Sequence, residues 1–486
     1  MTSSRLPRQP GPAGASGLRR TLLPLLVAAA MAAPAAQAAD LLTIARDALE
    51  NNAELSAARS QTGSAEAGRD VERADFLPQV DASADVTHSR TYESQTSPRQ
   101  PGELSGDDNV NGVGLTLQAT QALFSAIDAR EVERSEREID QQLYSLAATE
   151  QGVLIEVASA YFEILRAHEV LEARRAQERA INRQLEQARE QFEVGLIAVT
   201  EVEEAKAAFD QARAVRIAAE SDLQVRFEAL ERLTGQRYDS IDALGEEMEI
   251  APPSPAERDD WVEMAVQNNP LVLASQAGVE VSRSAVEIAR AGRLPRLNAF
   301  ASYNYSDNDA EGVEGYDSSS QVGLEASLPL YSGGRTSASI RQNTYRLESS
   351  QYDFEDQRRS TIQNVRSSYT RVTNDVSTVE ARAQAIVSNQ SALDATRAGY
   401  EVGTRNIVDV LNAEQNLYDA IADHASARYD YVINLLTLRQ QAGTLDEEAV
   451  AEVNGWLDGD SVGFELPEAA AGDPTLDIGE RPQPPQ

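Results

Sequence analysis

The chain has 486 residues, a formal net charge of −35 and a mean hydropathy of −0.42, with only 5% aromatic residues. So few large apolar groups argue against one compact globule and for helices packed side by side through alanine. The absence of cysteine excludes disulfides, thiol catalysis, cysteine metal sites and a lipid anchor on an N-terminal cysteine, and the strong negative charge repels nucleic acid.

The N-terminus reads as a secretory signal over residues 1–38. Arg19 and Arg20 precede an apolar stretch from Leu22 to Pro34, and Ala36-Gln37-Ala38 has the small-x-small form of a cleavage site. This segment holds four arginines and no acid, so its removal would take the net charge from −35 to −39. The apolar stretch is too short to span a bilayer as a helix, and no later run reaches about 18 consecutive apolar residues. The mature chain is therefore expected to be exported, acidic and without a membrane helix.

Beyond residue 38 the chain is duplicated. Ala48-Leu-Glu-Asn-Asn52 returns as Ala265-Val-Gln-Asn-Asn269, and Arg73, Ala74, Leu77 and Pro78 return at the same offset as Arg290, Ala291, Leu294 and Pro295. Val113-Gly-Leu115 matches Val322-Gly-Leu324, and Phe124-Ser125 matches Tyr331-Ser332. Phe192-Glu-Val-Gly195 matches Tyr400-Glu-Val-Gly403, with Val202, Ala205 and Ala212 answering to Val410, Ala413 and Ala420. So many matches in one order predict two equivalent halves, 39–250 and 251–445.

Each half opens with an amphipathic helix, predicted over 41–74 and 257–292 and ended by Leu-Pro. Two stretches of period-2 alternation follow: 79–87 (Val80, Ala82, Ala84, Val86) and 113–123 (Val113, Leu115, Leu117, Ala119). Their counterparts run through Leu297, Ala299, Ala301, Tyr303 and Tyr305, then Val322, Leu324, Ala326, Leu328 and Leu330. Each is about as long as a tilted membrane strand, roughly 9–11 residues. The polar segments 88–111 and 306–320 between paired strands suit exposed loops.

Long breaker-free segments then predict helices over 126–193 and 200–232, and over 335–401 and 407–440. Gly195 and Gly403 stand where the longer helices stop, as a C-terminal cap requires. After each turn the apolar pattern is a heptad: Val202, Ala205, Phe209, Ala212, Arg216, Ala219, Leu223, and Val410, Ala413, Leu417, Ala420, His424, Ala427, Tyr431. The tail 446–486 carries eleven acids and one basic residue, Arg481, and its last twenty residues or so read as disordered.

Four amphipathic strands cannot close a membrane barrel, since the smallest single-chain barrels have roughly eight. An open sheet in lipid would leave its edge groups unsatisfied. If these strands lie in the membrane, copies of the chain must assemble: two give eight strands and three give twelve. The alternative is a structural or adaptor-like periplasmic coiled-coil protein with an ordinary β-domain. An enzyme is not expected: no phosphate-binding Gly-x-x-x-x-Gly-Lys occurs, and His88, His168 and His424 lie far apart with no metal-ligand or triad spacing. No cofactor is expected.

Phe192-Glu-Val-Gly-Leu-Ile-Ala-Val-Thr-Glu-Val202 and Tyr400-Glu-Val-Gly-Thr-Arg-Asn-Ile-Val-Asp-Val-Leu-Asn412 resemble the two helix-turn-helix tips of TolC-type outer-membrane efflux ducts. Leu328-Pro-Leu-Tyr-Ser-Gly-Gly334 resembles the family's strand-to-helix junction. The resemblance covers about residues 40–445. It implies an α+β membrane protein: a trimer with a 12-stranded transmembrane β-barrel in the outer membrane of a Gram-negative cell, continued by a 12-helix coiled-coil α-barrel in the periplasm. It also implies a passive duct for drugs or type I secreted polypeptides. An inner-membrane pump of RND or ABC type would drive export through a periplasmic adaptor protein.

The resemblance further implies a closed tip in which Tyr400 and Arg405 bond across to Thr200 and Glu201; the family has aspartate where Glu201 stands. It places a lumen ring at Asp409 and Asn412, where the family has two aspartates, so three copies would present three carboxylates instead of six. Asp409 and Glu201 also lie in first helical turns, where the helix dipole alone favours acids. Glu204 repeats the spacing of the ring in the first half, and its direction is left open. The adaptor would dock at the tips Val194, Gly195, Leu196, Val402, Gly403 and Thr404.

Overall fold

The computed structural model describes residues 38–92, 107–245, 248, 250–309 and 315–463. Most of the expected signal (1–37), the end of the acidic tail (464–486) and the tips of both polar loops lie outside the described residues.

In chain order the elements are α1 (Leu41–Asn51), α2 (Ala53–Ala74), β1 (Gln79–Tyr92), β2 (Asp107–Ser125), α3 (Ala126–Glu193), α4 (Val199–Thr234) and β3 (Ser240–Leu244). The second half gives α5 (Arg258–Asn268), α6 (Pro270–Ala291), β4 (Arg296–Asn308), β5 (Tyr316–Ser327), α7 (Arg335–Glu401) and α8 (Ile407–Ala442). The chain then forms α9 (Glu447–Asn454) and β6 (Leu457–Gly463).

Where one amphipathic helix was expected at the start of each half, the structure has two. The breaks fall at Asn52 and Asn269, both in extended conformation (φ −63°, ψ 128° and φ −64°, ψ 120°). Each asparagine accepts from the first backbone N–H groups of the following helix: Glu54 and Leu55 at 2.9 and 3.1 Å, Leu271 and Val272 at 2.9 and 3.3 Å. An N-cap satisfies donors that would otherwise be orphaned, typically worth about 1 kcal/mol. The side-chain amides donate in turn to the end of another helix, Asn52 to the Leu233 carbonyl (3.1 Å) and Asn269 to the Gln441 carbonyl (2.9 Å). The duplicated Asn-Asn is thus a joint that seats α2 against the end of α4 and α6 against the end of α8. At the second joint the backbones come so close that a methyl group on Gly443 would lie 2.5 Å from the Asn268 carbonyl, which admits glycine alone.

The four long strands form one antiparallel sheet in the order β1-β2-β4-β5. Its register sets apolar residues opposite one another across all four strands: Val80, Ala82 and Ala84 against Ala119, Leu117 and Leu115, then Leu117 and Leu115 against Tyr303 and Tyr305, then Ala299 and Ala301 against Leu324 and Val322. Since directly paired residues share a face, one face of the sheet is largely apolar, interrupted on β5 by Ser318 and Ser320 opposite Tyr305 and Tyr303. The other carries Asp81, Ser83, Thr116, Gln118, Ser302 and Asn304. The strands run beyond their expected ends, taking residues 88–92 and 107–111 from the first predicted loop. At its base, the Arg296 guanidinium pairs with Asp128 (2.7 Å), which joins the start of β4 to the start of α3.

α3 continues directly from β2, and α7 follows β5 after the short link 328–334. α3 has 68 residues and α7 has 67, so each runs about 100 Å at about 1.5 Å per residue. α8 packs between α3 and α7, whereas α4 packs chiefly on α3. Hence the buried stripe of α8 is wider than its heptad, adding Ile407, Leu411, Ala422, Ala425 and Tyr429 to the expected positions. α4 buries only Ala205, Ala212 and Leu223 of its heptad, and Arg216 leaves it to pair with Glu178 (2.7 Å).

The main core lies midway along these helices, around Tyr161, Phe162 and Tyr429, with contributions from α1, α5, β3, α9 and β6. Residues 446–463, set apart in the sequence as the start of a tail, are folded into it. β6 pairs antiparallel with β3, Ala39 bridges to Ile241 on β3, and Asn454 bonds Asp40 (3.0 Å) and the Leu42 N–H (3.1 Å). Toward the α3–α4 and α7–α8 turns the core thins to two small clusters, one around Ile181, Leu185 and Leu411, the other around Leu393, Val410 and Leu417. Sparse burial at one end of long helices is where opening costs least. Among the described residues no helix is long and apolar enough to cross a membrane.

Candidate functional site

The two tips have one backbone. α3 is capped by Val194 (φ −93°, ψ 5°) and α7 by Val402 (φ −92°, ψ 4°), each followed by a left-handed glycine, Gly195 (φ 79°) and Gly403 (φ 77°). The Gly195 N–H donates to the Phe192 carbonyl (2.9 Å) and Leu196 N–H to Gln191 (2.8 Å); Gly403 donates to Tyr400 (2.9 Å) and Thr404 to Gly399 (2.9 Å). This is the paired bonding of a Schellman cap, in which a side chain at the positive-φ position would be strained. The cap turns Val194, Leu196 and Val402 outward, 70–74% exposed. Gly195, Gly403 and Thr404 are exposed beside them.

The tips differ in how the return helix begins. α4 starts after Ala198 with no side-chain cap. α8 starts after Asn406 with a full capping box: the Asp409 N–H donates to the Asn406 side chain (2.9 Å), and the Asn406 N–H donates to the Asp409 carboxylate (3.3 Å). Asp409 therefore has a local role in starting the helix. Asn412, one turn on, is exposed, as is Glu204.

Of the expected cross-links, the structure brings together Tyr400 and Glu201. The half-buried Tyr400 hydroxyl lies 3.2 Å from Gln191 Oε1 on α3. Burial raises its pKa, and the charge of Glu201 and a hydrogen bond to that carboxylate raise it further, so the phenol stays a donor. Arg405 is not brought to Thr200 or Glu201 within the chain. Its side chain is 60% exposed, with the guanidinium 4.0 Å from Asp409 in the first turn of α8, and Thr200 is exposed. Within one copy Tyr400 thus meets Glu201, while Arg405 stays exposed beside Asp409.

Just above the tip lies a group that the motifs did not single out. Glu414 on α8 is fully buried, and its Oε1 accepts from Arg397 of α7 (2.7 Å) and Gln184 of α3 (3.1 Å). Its Oε2 and the Arg397 Nε are buried with no hydrogen-bond partner among the described residues. One carboxylate therefore ties three helices together where the apolar core is thinnest. The sequence held a signal: Glu414 stands four residues after Val410 and three before Leu417, a charge inside an apolar stripe. No group of acids and histidines among the described residues could hold a metal ion.

The profile of the family described as "Outer membrane efflux protein" matches residues 44–236 and 261–444, which spans both repeats and skips only the crossover containing β3. The outer membrane protein TolC of Vibrio cholerae is 36% identical over 444 residues, 90% of this chain and 99% of that protein. The alkaline protease secretion protein AprF of Pseudomonas aeruginosa is 34% identical over 407 residues, 82% of this chain and 83% of that one. The crystal structure of the Campylobacter jejuni CmeC outer membrane channel shares the fold with a TM-score of 0.70 at 17% identity, covering 86% of this chain and 90% of that chain. Matches along both repeats, together with the strand-to-helix continuity and twin tips described above, remove the adaptor-like alternative: the chain belongs to the outer membrane efflux protein family, a family of outer-membrane channels.

Proposed function

We propose that three copies of this chain form a passive export duct, with twelve strands closed into an outer-membrane barrel and twelve long helices enclosing a periplasmic tunnel. The observation that carries this reading is the four-stranded sheet with one largely apolar face, whose edge strands β1 and β5 each have, among the described residues, a neighbour on one side only. In lipid such edges must be paired, and identical copies joined β5 to β1 would pair them. Because α3 follows β2 directly and α7 follows β5 across only a short link, the tunnel surrounds the same axis as the barrel.

The tip is the gate. Tyr400 binds Glu201 and Gln191 within one copy, and Arg405, free to face outward, reaches Thr200 and Glu201 of the next. Asp409 of three copies forms a ring of three carboxylates in the lumen; with asparagine at 412 the field on cations is weaker than six carboxylates would give. The exposed Val194-Gly195-Leu196 and Val402-Gly403-Thr404 turns dock a periplasmic adaptor. An inner-membrane pump of RND or ABC type supplies the energy. The cargo is drugs, secreted polypeptides, or both: AprF is a protease secretion protein and CmeC an outer membrane channel.

The experiment is extraction and reconstitution. The protein should partition with outer membranes, require detergent, migrate as a heat-modifiable trimer and conduct ions in planar bilayers. A water-soluble monomer with no conductance would overturn the proposal.

A further inference from the structure

Gly399 occupies an unexpected position for a glycine. It lies inside the last turn of α7, which ends at Glu401, and its φ is not among the positive values found at Gly195 and Gly403. The backbone there suits any residue, and glycine in a helix costs about 1 kcal/mol relative to alanine. What it provides is room. A methyl group on Gly399 would stand 2.8 Å from Arg405 Cγ, 3.3 Å from Thr404 Oγ1 and 3.6 Å from Arg405 Cβ. The first two separations are below ordinary van der Waals contact, and Arg405 Cγ belongs to the root of the side chain, so the stem could not escape by swinging its far end alone.

The Gly399 carbonyl holds the same residues from the other side. It accepts from the Thr404 N–H (2.9 Å), the Thr404 hydroxyl (3.0 Å) and the Arg405 N–H (3.2 Å). In the first repeat the equivalent position is Gln191, which carries a side chain; its carbonyl takes the Leu196 N–H (2.8 Å), and the half-buried Ile197 stands in place of Arg405. The glycine therefore goes with the arginine and not with the turn, since both turns have the same cap.

We infer that Gly399 is the positioning residue of the Arg405 latch: a bare Cα lets the arginine stem lie across the end of α7, and this fixes where its guanidinium stands at the rim of the tip. The inference rests on the gate reading above. The test is single-channel conductance of the reconstituted full-length protein for Arg405→Ser, Gly399→Ala and the double variant. Arg405→Ser reports on the gate reading itself, and unchanged conductance there overturns that reading and the inference with it. Given a raised conductance in Arg405→Ser, Gly399→Ala should raise conductance several-fold in the same direction, and adding it to Arg405→Ser should change nothing more. Wild-type conductance in Gly399→Ala, or an effect that adds fully to that of Arg405→Ser, overturns the role of Gly399 and leaves the gate standing. If Gly399→Ala fails to assemble, assembly restored by Arg405→Ser shows the same collision, and failure in both backgrounds overturns the inference.

Discussion

Removal of the Arg397 guanidinium tests how the thin end of the helical bundle is held. In Arg397→Ala, Glu414 would keep one neutral donor, Gln184 at 3.1 Å, while remaining fully buried. Breaking a buried ion pair by deleting one partner costs about 3–5 kcal/mol, because the survivor is left uncompensated. The Arg397 side chain is itself 40% exposed, so water can enter the vacated space and the lower end, about 3 kcal/mol, applies. At about 1.4 kcal/mol per tenfold this is about a 100-fold rise in local opening. Amide hydrogen exchange read by mass spectrometry should show it in peptides around Gln184, Arg397 and Glu414, with no change around Tyr161 and Phe162 in the main core. Replacing both charges, Arg397→Met with Glu414→Leu, should restore most of the protection, since an apolar pair of similar volume removes the stranded charge. Unchanged exchange in Arg397→Ala, or a double variant that opens as readily as the single one, would refute the reasoning.

Other consequences are equally direct. Asp409→Asn should weaken block of the channel by multivalent cations while keeping the α8 cap, because asparagine can still accept from Asn406; unaltered block removes the ring. Asp40→Ala should cost about 1 kcal/mol as a lost N-cap. Burial raises the Asp40 carboxyl, but hydrogen bonds from Thr43 and Asn454 outweigh it and hold the pKa below its ordinary value. Its contribution is thus present above the ordinary carboxylate range and lost as pH falls through the lowered value, so thermal midpoints of wild type and variant should converge in acid. His168 and His424 are both shifted down, first by burial. The unfolded chain therefore takes up protons first as pH falls below about 6.5. Thermal stability should decline in that window, and His168→Gln with His424→Gln should flatten the slope; an unchanged slope would contradict the assignment.

Much of the architecture was legible in residues because it follows local periodicities. Val80, Ala82, Ala84 and Val86 alternate, so a strand with one apolar face follows wherever that strand is placed. Gly195 and Gly403 end their helices because the cap needs positive φ, a property of the residue itself. The duplication was legible for the same reason, but its meaning was not. Asn52 and Asn269 marked a repeat, and only their bonds to Leu233 and Gln441 revealed them as joints that split the predicted helices. The strands overran their predicted ends since pairing with β2 and β5 continues after the apolar pattern stops at Thr87 and Tyr305.

What the sequence determined alone is the four long strands and four long helices of the two repeats, their order and the faces they present, since each depends on spacing along the chain. What the tertiary structure decided is every relation between residues far apart in number: the sheet order that makes four apolar faces one, the docking of residues 446–463 beside residue 39, and the meeting of Gln184, Arg397 and Glu414. Spacing says which side of a helix a charge occupies. Whether that side meets water, a partner charge or a second helix depends on how the chain returns, and a carboxylate such as Glu414 is solvated or a tie between three helices according to that answer.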